Sequence, residues 1–320
     1  MKKMPEPESP FTDVSALLRF LDLSIDGETI LSGGKPMLVP RSFARRMRPG
    51  DRFDPLLLQV LPTRAEATVT PGFTDDPVGD GAACRQKGIL QKYRGRALLT
   101  VTESCALHCR FCFRRNRPSE TYLEAAGELD AAVRCPVLHT DVSEVVLSGG
   151  DPLMLPLDRF DRLLHALGDL PHLARVRVHT RVPIADPARV DDDLLRVLAA
   201  SRKPVVAVLH TNHPQELNDE TAAALEAMAG RVHGLLNQTV LLRRVNDDVD
   251  TLVDLSERLV AQRVLPYYLH QLDRASGTAH FETTIEKGRR IIEGLRARCA
   301  GYLVPRYVRE ESGEPYKTPL

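Results

Sequence analysis

The sequence carries no surplus of charge of either sign: Lys and Arg number 43 together, and so do Asp and Glu. Without a basic excess, the overall balance points to neither nucleic acid nor an anionic membrane surface as partner. No apolar run reaches the length that a membrane span requires. The opening stretch Met1-Lys-Lys-Met-Pro-Glu-Pro-Glu-Ser9 lacks the apolar core of a signal peptide. Cysteine is sparse, with six in 320 residues, and Cys84, Cys135 and Cys299 are scattered singly. That distribution excludes a disulfide framework. Internal repeats and low-complexity tracts are missing too. The expectation is a cytoplasmic protein with no nucleic-acid or membrane partner.

What is present begins with a hydrophobic content of 43%, enough for a sizeable core. Residues 1 to about 12, rich in Pro and Glu, are expected to be disordered. Asp13 is a good N-cap for an amphipathic helix carrying Val14, Leu17, Leu18 and Leu21. Ser42 is expected to open a second helix, and Asp54-Pro55 a third. A long loop over 70–81 then crosses to the main domain. From residue 96 a βα rhythm takes over, with strands expected at 97–101, 144–147, 175–179, 205–210, 235–241 and 265–269. Helical patterns fall at 157–167 behind an Asp158 cap, 192–200, 221–229, 249–260 and 284–297. Strands alternating with helices imply a parallel sheet with right-handed crossovers. Six such units predict an α/β protein, a partial (β/α)6 barrel. The division is a helical segment over 1–95 and the barrel over 96–320. In barrels of this type chemistry sits at the C-terminal ends of the strands.

Cys105-Ala-Leu-His-Cys109-Arg-Phe-Cys112 follows the first of those strands. Three thiolates in C-x3-C-x2-C spacing suit an iron–sulfur cluster, which normally takes four. One iron then lacks a protein ligand and is open to a small molecule. The spacing resembles the signature of the radical S-adenosylmethionine (SAM) enzymes, which implies a [4Fe-4S] cluster and SAM as cofactors. A structural zinc site with His108 or a distant Cys as fourth ligand is the other reading. Zinc sites prefer paired C-x2-C or His spacings, and no second pair exists.

Leu147-Ser148-Gly149-Gly150-Asp151-Pro152 follows the second strand. Alone it is a common turn. Beside the cysteine loop it matches the segment with which radical SAM enzymes hold the methionine amino group, placing Ser148, Gly149, Gly150 and Asp151 at the cofactor. Asn237-Gln238, near the end of the fifth strand, resembles a further cofactor-contacting segment, with Gln238 as the contact. His210 and His213 have only a weak claim to the site.

The C-terminal segments Leu265-Pro-Tyr-Tyr-Leu-His-Gln-Leu-Asp273 and Gly301 to Leu320 narrow the resemblance. With Arg-Ser-Phe at 41–43, Asp54-Pro-Leu-Leu, Arg96-Ala-Leu-Leu and Asn237-Gln-Thr-Val-Leu-Leu-Arg243, they resemble the lysine 2,3-aminomutase family. The short branch that serves elongation factor P modification is nearest, and the match runs from about Leu38 to the last residue. It implies pyridoxal phosphate (PLP) bound covalently by Lys317, with Arg96 at its phosphate. Arg114 would grip the carboxylate of L-lysine, with Arg115 as a neighbour that could be mistaken for it. Asp273 and Glu310 would hold the lysine ε-ammonium; Glu310 stands where longer members carry Asp. The implied reaction moves the amino group from C2 to C3, giving β-lysine. Implied partners are an electron donor such as flavodoxin or ferredoxin, and a functional link to elongation factor P and its lysine ligase. Two rival readings are a radical SAM enzyme acting on another amino acid, such as arginine, and a non-catalytic iron–sulfur protein. The sequence stops three residues after Lys317, so the cysteine tail that binds zinc in longer members is not expected, and their oligomeric state does not carry over.

Overall fold

Alternation along the strands sets the architecture. In the computed structural model, which describes residues 9–30, 35–125, 127–139 and 141–320, ten strands form one sheet. They are β1 (Cys84–Gln86), β2 (Ile89–Leu90), β3 (Arg96–Thr102), β4 (Glu144–Gly149), β5 (Arg175–Thr180), β6 (Val205–His210), β7 (Gly234–Val240), β8 (Leu265–His270), β9 (Arg306–Arg309) and β10 (Thr318–Pro319). Spatial order equals chain order throughout. Strands β3 to β9 run parallel, while β1, β2 and β10 add antiparallel edges. An order that never reverses, joined by right-handed crossovers, curls a sheet into a barrel wall rather than winding it both ways. Among the described residues β1 does not pair with β10, so the wall stays open.

Along β4 to β6, Val145, Leu147, Val176, Val178, Ala207 and Leu209 are buried in the hydrophobic core. The alternate positions Val146, Ser148, Arg177, His179 and His210 line a hollow inside the wall. Branched apolar layers fill the interior of many βα barrels. Here polar and charged side chains occupy much of that layer, and the interior stays open.

The helices are α1 (Val14–Phe20), α2 (Arg41–Ala44), α3 (Pro55–Leu58), α4 (Glu128–Val133), α5 (Leu157–Gly168), α6 (Val182–Ala185), α7 (Asp192–Ala200), α8 (Asp219–Ala229), α9 (Val249–Ala261) and α10 (Ile285–Arg298). Asp13 caps α1 through Ala16 N at 2.7 Å, and Asp54 caps α3 through Leu56 N and Leu57 N. Two expected caps are corrected. Asp158 lies inside the first turn of α5, because the helix starts directly after Pro156, and its carboxylate meets Arg162 instead. Ser42 lies inside α2 and donates to the Ala185 carbonyl at 2.9 Å, a tertiary bond that local sequence could not show.

Of the segment expected to be disordered, residues 1–8 lie outside the described residues. Phe11 is a correction: it is buried and forms a two-way backbone bridge with Val39. Burial of its ring outweighs the polar, Pro-rich neighbourhood. One core runs from Phe11 to Tyr307, so the N-terminal helices and the barrel share it.

Candidate active site

The three motif thiols leave the end of β3 on a loop held from outside the barrel. His108 N donates to the Leu38 carbonyl, and Arg110 N to the Gln59 carbonyl at 2.8 Å. The Arg110 guanidinium, almost fully buried, pairs with Glu66 and reaches the carbonyls of Lys35 and Pro36. Burial pushes the Cys105 thiol up, with Cys112, Asp151 and Cys109 adding to it. Burial raises Cys112 as well, with Cys109 adding to it. Cys109 Sγ instead accepts a hydrogen bond from Arg181 Nη1 at 2.7 Å. No cysteine is in a disulfide. Among the described residues no three His, Cys, Asp or Glu side chains converge on one point. In a cluster each thiolate holds its own iron, so the three sulfurs need not converge as they would on a single zinc ion. His108 Nδ1 lies 3.2 Å from the Pro36 carbonyl and is occupied there.

Ser148-Gly149-Gly150-Asp151 packs on the stem of that loop. Gly150 N donates to the Thr102 carbonyl at 2.7 Å and Asp151 N to the Ser104 carbonyl at 2.8 Å. Gly149 has φ +118°, and a Cβ there would sit 2.5 Å from the Thr102 oxygen. A Cβ on Gly150 would meet the Ser104 and Glu103 oxygens at 2.4 and 2.5 Å. The glycines are therefore required by the close approach of protein backbone, whatever ligand they also face. The Asp151 carboxylate accepts from Leu153 N, Thr180 Oγ1, Arg181 N and Val182 N, tying the β4 and β5 loops together.

Lys317, Glu310, Asp273, Arg114 and Arg96 line the same hollow. Lys317 Nζ pairs with Glu310 Oε2. Tyr93 donates to Glu310 Oε1 at 2.7 Å, and Lys92 stands 3.5 Å from the same oxygen. Burial opposes the Glu310 charge, but Lys317, Lys92 and Tyr93 hold its carboxyl below the usual range. Asp273 differs: its carboxylate accepts no hydrogen bond from the described residues. Burial pushes its pKa up; Lys317 pulls it down and Glu310 pushes it back, leaving it at about 7. The two acids that sequence treats as a pair are thus unlike. Glu310 has hydrogen-bonding partners, and the Asp273 carboxylate has none among the described residues.

Arg114 and Arg115 are also separated by the fold. Arg114 lines the hollow, donating from Nε to Asp80 at 3.0 Å and from Nη1 to Ser148 Oγ at 3.0 Å. Arg115 turns outward to Glu66 and to the Arg110 and Gly277 carbonyls. Asp80, unremarked in the sequence, comes from the crossing loop and also meets Arg117 and Lys92. Burial opposes its charge, but Arg114 and Lys92 hold it well below the usual carboxylate range. Arg96 lies over the Tyr93 ring, its Cζ 4.7 Å from the centroid. Tyr93, Arg96, Arg177 and Lys317 also border a second groove, so Lys317 stands where the two spaces meet.

Gln238 lines the hollow, whereas Asn237 is buried in the wall, bonded to the Thr211 backbone. His213 lies outside the hollow, its Nδ1 accepting from Gln215 N. His210 lines it, edge-on to Phe111, and burial with Arg181 nearby lowers its pKa to about 3. His179 and His270, unremarked in the sequence, line it too. Burial first holds both well below the usual imidazole range, with Arg177 and Lys317 adding at His179 and Lys317 at His270. The signal that could have found them is positional: all three histidines stand in the last two residues of strands β5, β6 and β8.

The chain matches curated proteins along nearly its whole length. It is 43% identical to the L-lysine 2,3-aminomutase of Escherichia coli over 97% of this chain and 91% of that protein. Against the Haemophilus influenzae L-lysine 2,3-aminomutase the identity is 37%, over 97% and 93%. This chain belongs to the L-lysine 2,3-aminomutase family. The protein of that name from Clostridium subterminale is 35% identical over 85% of this chain but only 65% of its own length. No family model matches the chain. Among solved structures, a radical SAM methyltransferase from Sphaerobacter thermophilus overlays 69% of this chain and 68% of its own at 20% identity, with a TM-score of 0.46. The fold assignment of this family member rests on its own strand order, not on that overlay.

Proposed function

We propose that this chain is an isomerase converting L-lysine to β-lysine by moving the amino group from C2 to C3. It would work with a [4Fe-4S] cluster on Cys105, Cys109 and Cys112, SAM, and PLP on Lys317. The observation that carries this reading is continuity: one hollow holds the three thiols, the Ser148–Asp151 segment, Arg114, Asp273 and Lys317. The bound cofactors would supply the radical chemistry, namely reductive cleavage of SAM and a π-system able to share an unpaired electron.

The protein's own residues position, neutralise and exclude. Arg114 spends one N–H each on Asp80 and Ser148, leaving three of its five donors for a substrate carboxylate. Asp273 is the free acid for the ε-ammonium. Glu310 Oε2 faces Lys317 Nζ and orients the amine that would hold the cofactor as a nucleophile. Arg96 and Arg177 beside Lys317 supply positive charge for a phosphate. His179, His210 and His270, held neutral, contribute hydrogen bonds without charge. Leu98, Val146, Val240 and Phe111 keep part of the wall apolar, which limits water around a reactive radical.

The same reading makes the product β-lysine for elongation factor P, acting with its lysine ligase in the cytoplasm and an electron donor such as flavodoxin or ferredoxin. What supports that link is the motif resemblance to the short branch. The test is anaerobic incubation of reconstituted protein with SAM, reductant and L-lysine, followed by amino-acid analysis. β-Lysine is expected; SAM cleavage with lysine unchanged would overturn the reading.

A further inference from the structure

Arg181, the residue after β5, matches no motif discussed above, yet its guanidinium reaches a cluster thiol. Nη1 donates to Cys109 Sγ at 2.7 Å, while Nη2 donates to Gln59 Oε1 at 2.7 Å and to Glu216 Oε2 at 2.9 Å. The guanidinium also lies near the Phe43 and Phe111 rings, 5.5 and 5.8 Å from their centroids. Glu216 is fully buried and held by Gln59 Nε2, Asn212 N and His213 N. The guanidinium thus stands between a thiol and a carboxylate, in a setting where water screens little.

We propose that Arg181 is a positioning residue for the cluster, fixing the Cys109 sulfur and raising the cluster's reduction potential. Glu216 sets how much of the guanidinium charge the cluster feels. This rests on the assignment of a cluster to the three thiols. Hydrogen bonds to cluster sulfurs and nearby positive charge both favour the more negative reduced state. The consequence is a cluster that accepts its electron more readily than bare thiolate ligation would allow.

Opposite substitutions separate this role from a structural one. Glu216→Gln leaves the N–H···S bond and removes the balancing carboxylate, so the potential should rise. Arg181→Met with Glu216→Gln removes both charges without stranding a buried carboxylate, so the potential should fall below wild type. Arg181→Lys, which keeps the charge but loses the fork, should give a smaller fall. The measurement is an EPR-monitored redox titration of the reconstituted, SAM-free protein, with iron and sulfide content determined beside it. Shifts of opposite sign support the proposal. Equal potentials in all variants, or shifts of one sign throughout, overturn it. If the double variant does not fold, Arg181→Lys and Glu216→Gln still must move in opposite directions. Wild-type protein that gives no cluster signal overturns the cluster assignment itself, and this inference with it.

Discussion

Asp273 and Glu310 carry the same charge in different company, and that difference is testable. With its pKa at about 7, Asp273 is largely protonated in mildly acidic solution and cannot pair with an ammonium. Lysine binding should therefore tighten about tenfold per pH unit as pH rises toward 7, then level off. In Asp273→Asn, binding should be weaker and flat across that window; calorimetric titration at several pH values checks both. The sign for stability is opposite. The folded pKa lies above the ordinary 3.8, so the folded state loses stability as pH rises from about 4 through about 7. Asp273→Asn should abolish that loss, read as a smaller change in unfolding temperature between pH 5 and 8. At the proposed cluster, replacing Cys105, Cys109 or Cys112 by Ala should abolish SAM cleavage, since two thiolates would not hold its open iron. Cys84, Cys135 and Cys299 should be replaceable, although only Cys135 is a small core residue; Cys84 is exposed. Lys317→Ala should keep the cluster and lose covalent PLP. Borohydride reduction of PLP-loaded wild type should label Lys317 on peptide mapping, and a label on another lysine refutes that role.

At the scale of elements, two contacts between loops should govern the site. The crossing loop is pinned beside the Asp273 loop by the Thr74–Ala275 bridge and by Ser276 N donating to the Thr74 carbonyl. From there it delivers Asp80 to Arg114. Breaking a buried pair strands the remaining charge and typically costs 3–5 kcal/mol. Asp80→Ala should accordingly raise the lysine requirement roughly tenfold or more while leaving cluster content unchanged, because Arg114 loses the partner that orients it. Steady-state kinetics with iron analysis check this. The second contact is Gly150 on the loop stem. A Cβ there meets backbone oxygens 2.4–2.5 Å away, and neither backbone can yield as a flexible side chain would. Gly150→Ala should destabilise by about 1–3 kcal/mol or more and loosen the cluster loop, seen as a lower unfolding temperature with reduced iron retention.

For the whole molecule, the proposed function makes the charge layout of the hollow the selector of the substrate. Arg114 for a carboxylate and Asp273 for a far-end ammonium would fit lysine. Glutamate would set a second carboxylate against Asp273 and Glu310, a like-charge cost of several kcal/mol as an order of magnitude, so no turnover is expected. Arginine should be a poorer substrate than lysine, because its planar head is larger. Competition assays with the three amino acids check the order, and equal turnover of glutamate and lysine refutes the acidic-end reading. By itself the sequence determined the six long strands and the five long helices α5, α7, α8, α9 and α10, because hydrophobic periodicity acts locally, while the short α4 and α6 escaped it. It also marked the cysteine loop and Lys317, because a ligand spacing and a family motif are linear. The short strands β1, β2, β9 and β10 escaped it, since two to four residues carry no readable period. Only the tertiary structure decided which arginine faces the hollow. It alone showed that Glu310 is already paired while Asp273 accepts no hydrogen bond from the described residues, and that Asp80, Arg181, His179 and His270 line the hollow. Those assignments depend on contacts between residues far apart in the chain, such as the 72 positions between Arg181 and Cys109, and burial and partnership arise only once the strands have assembled into the wall around them.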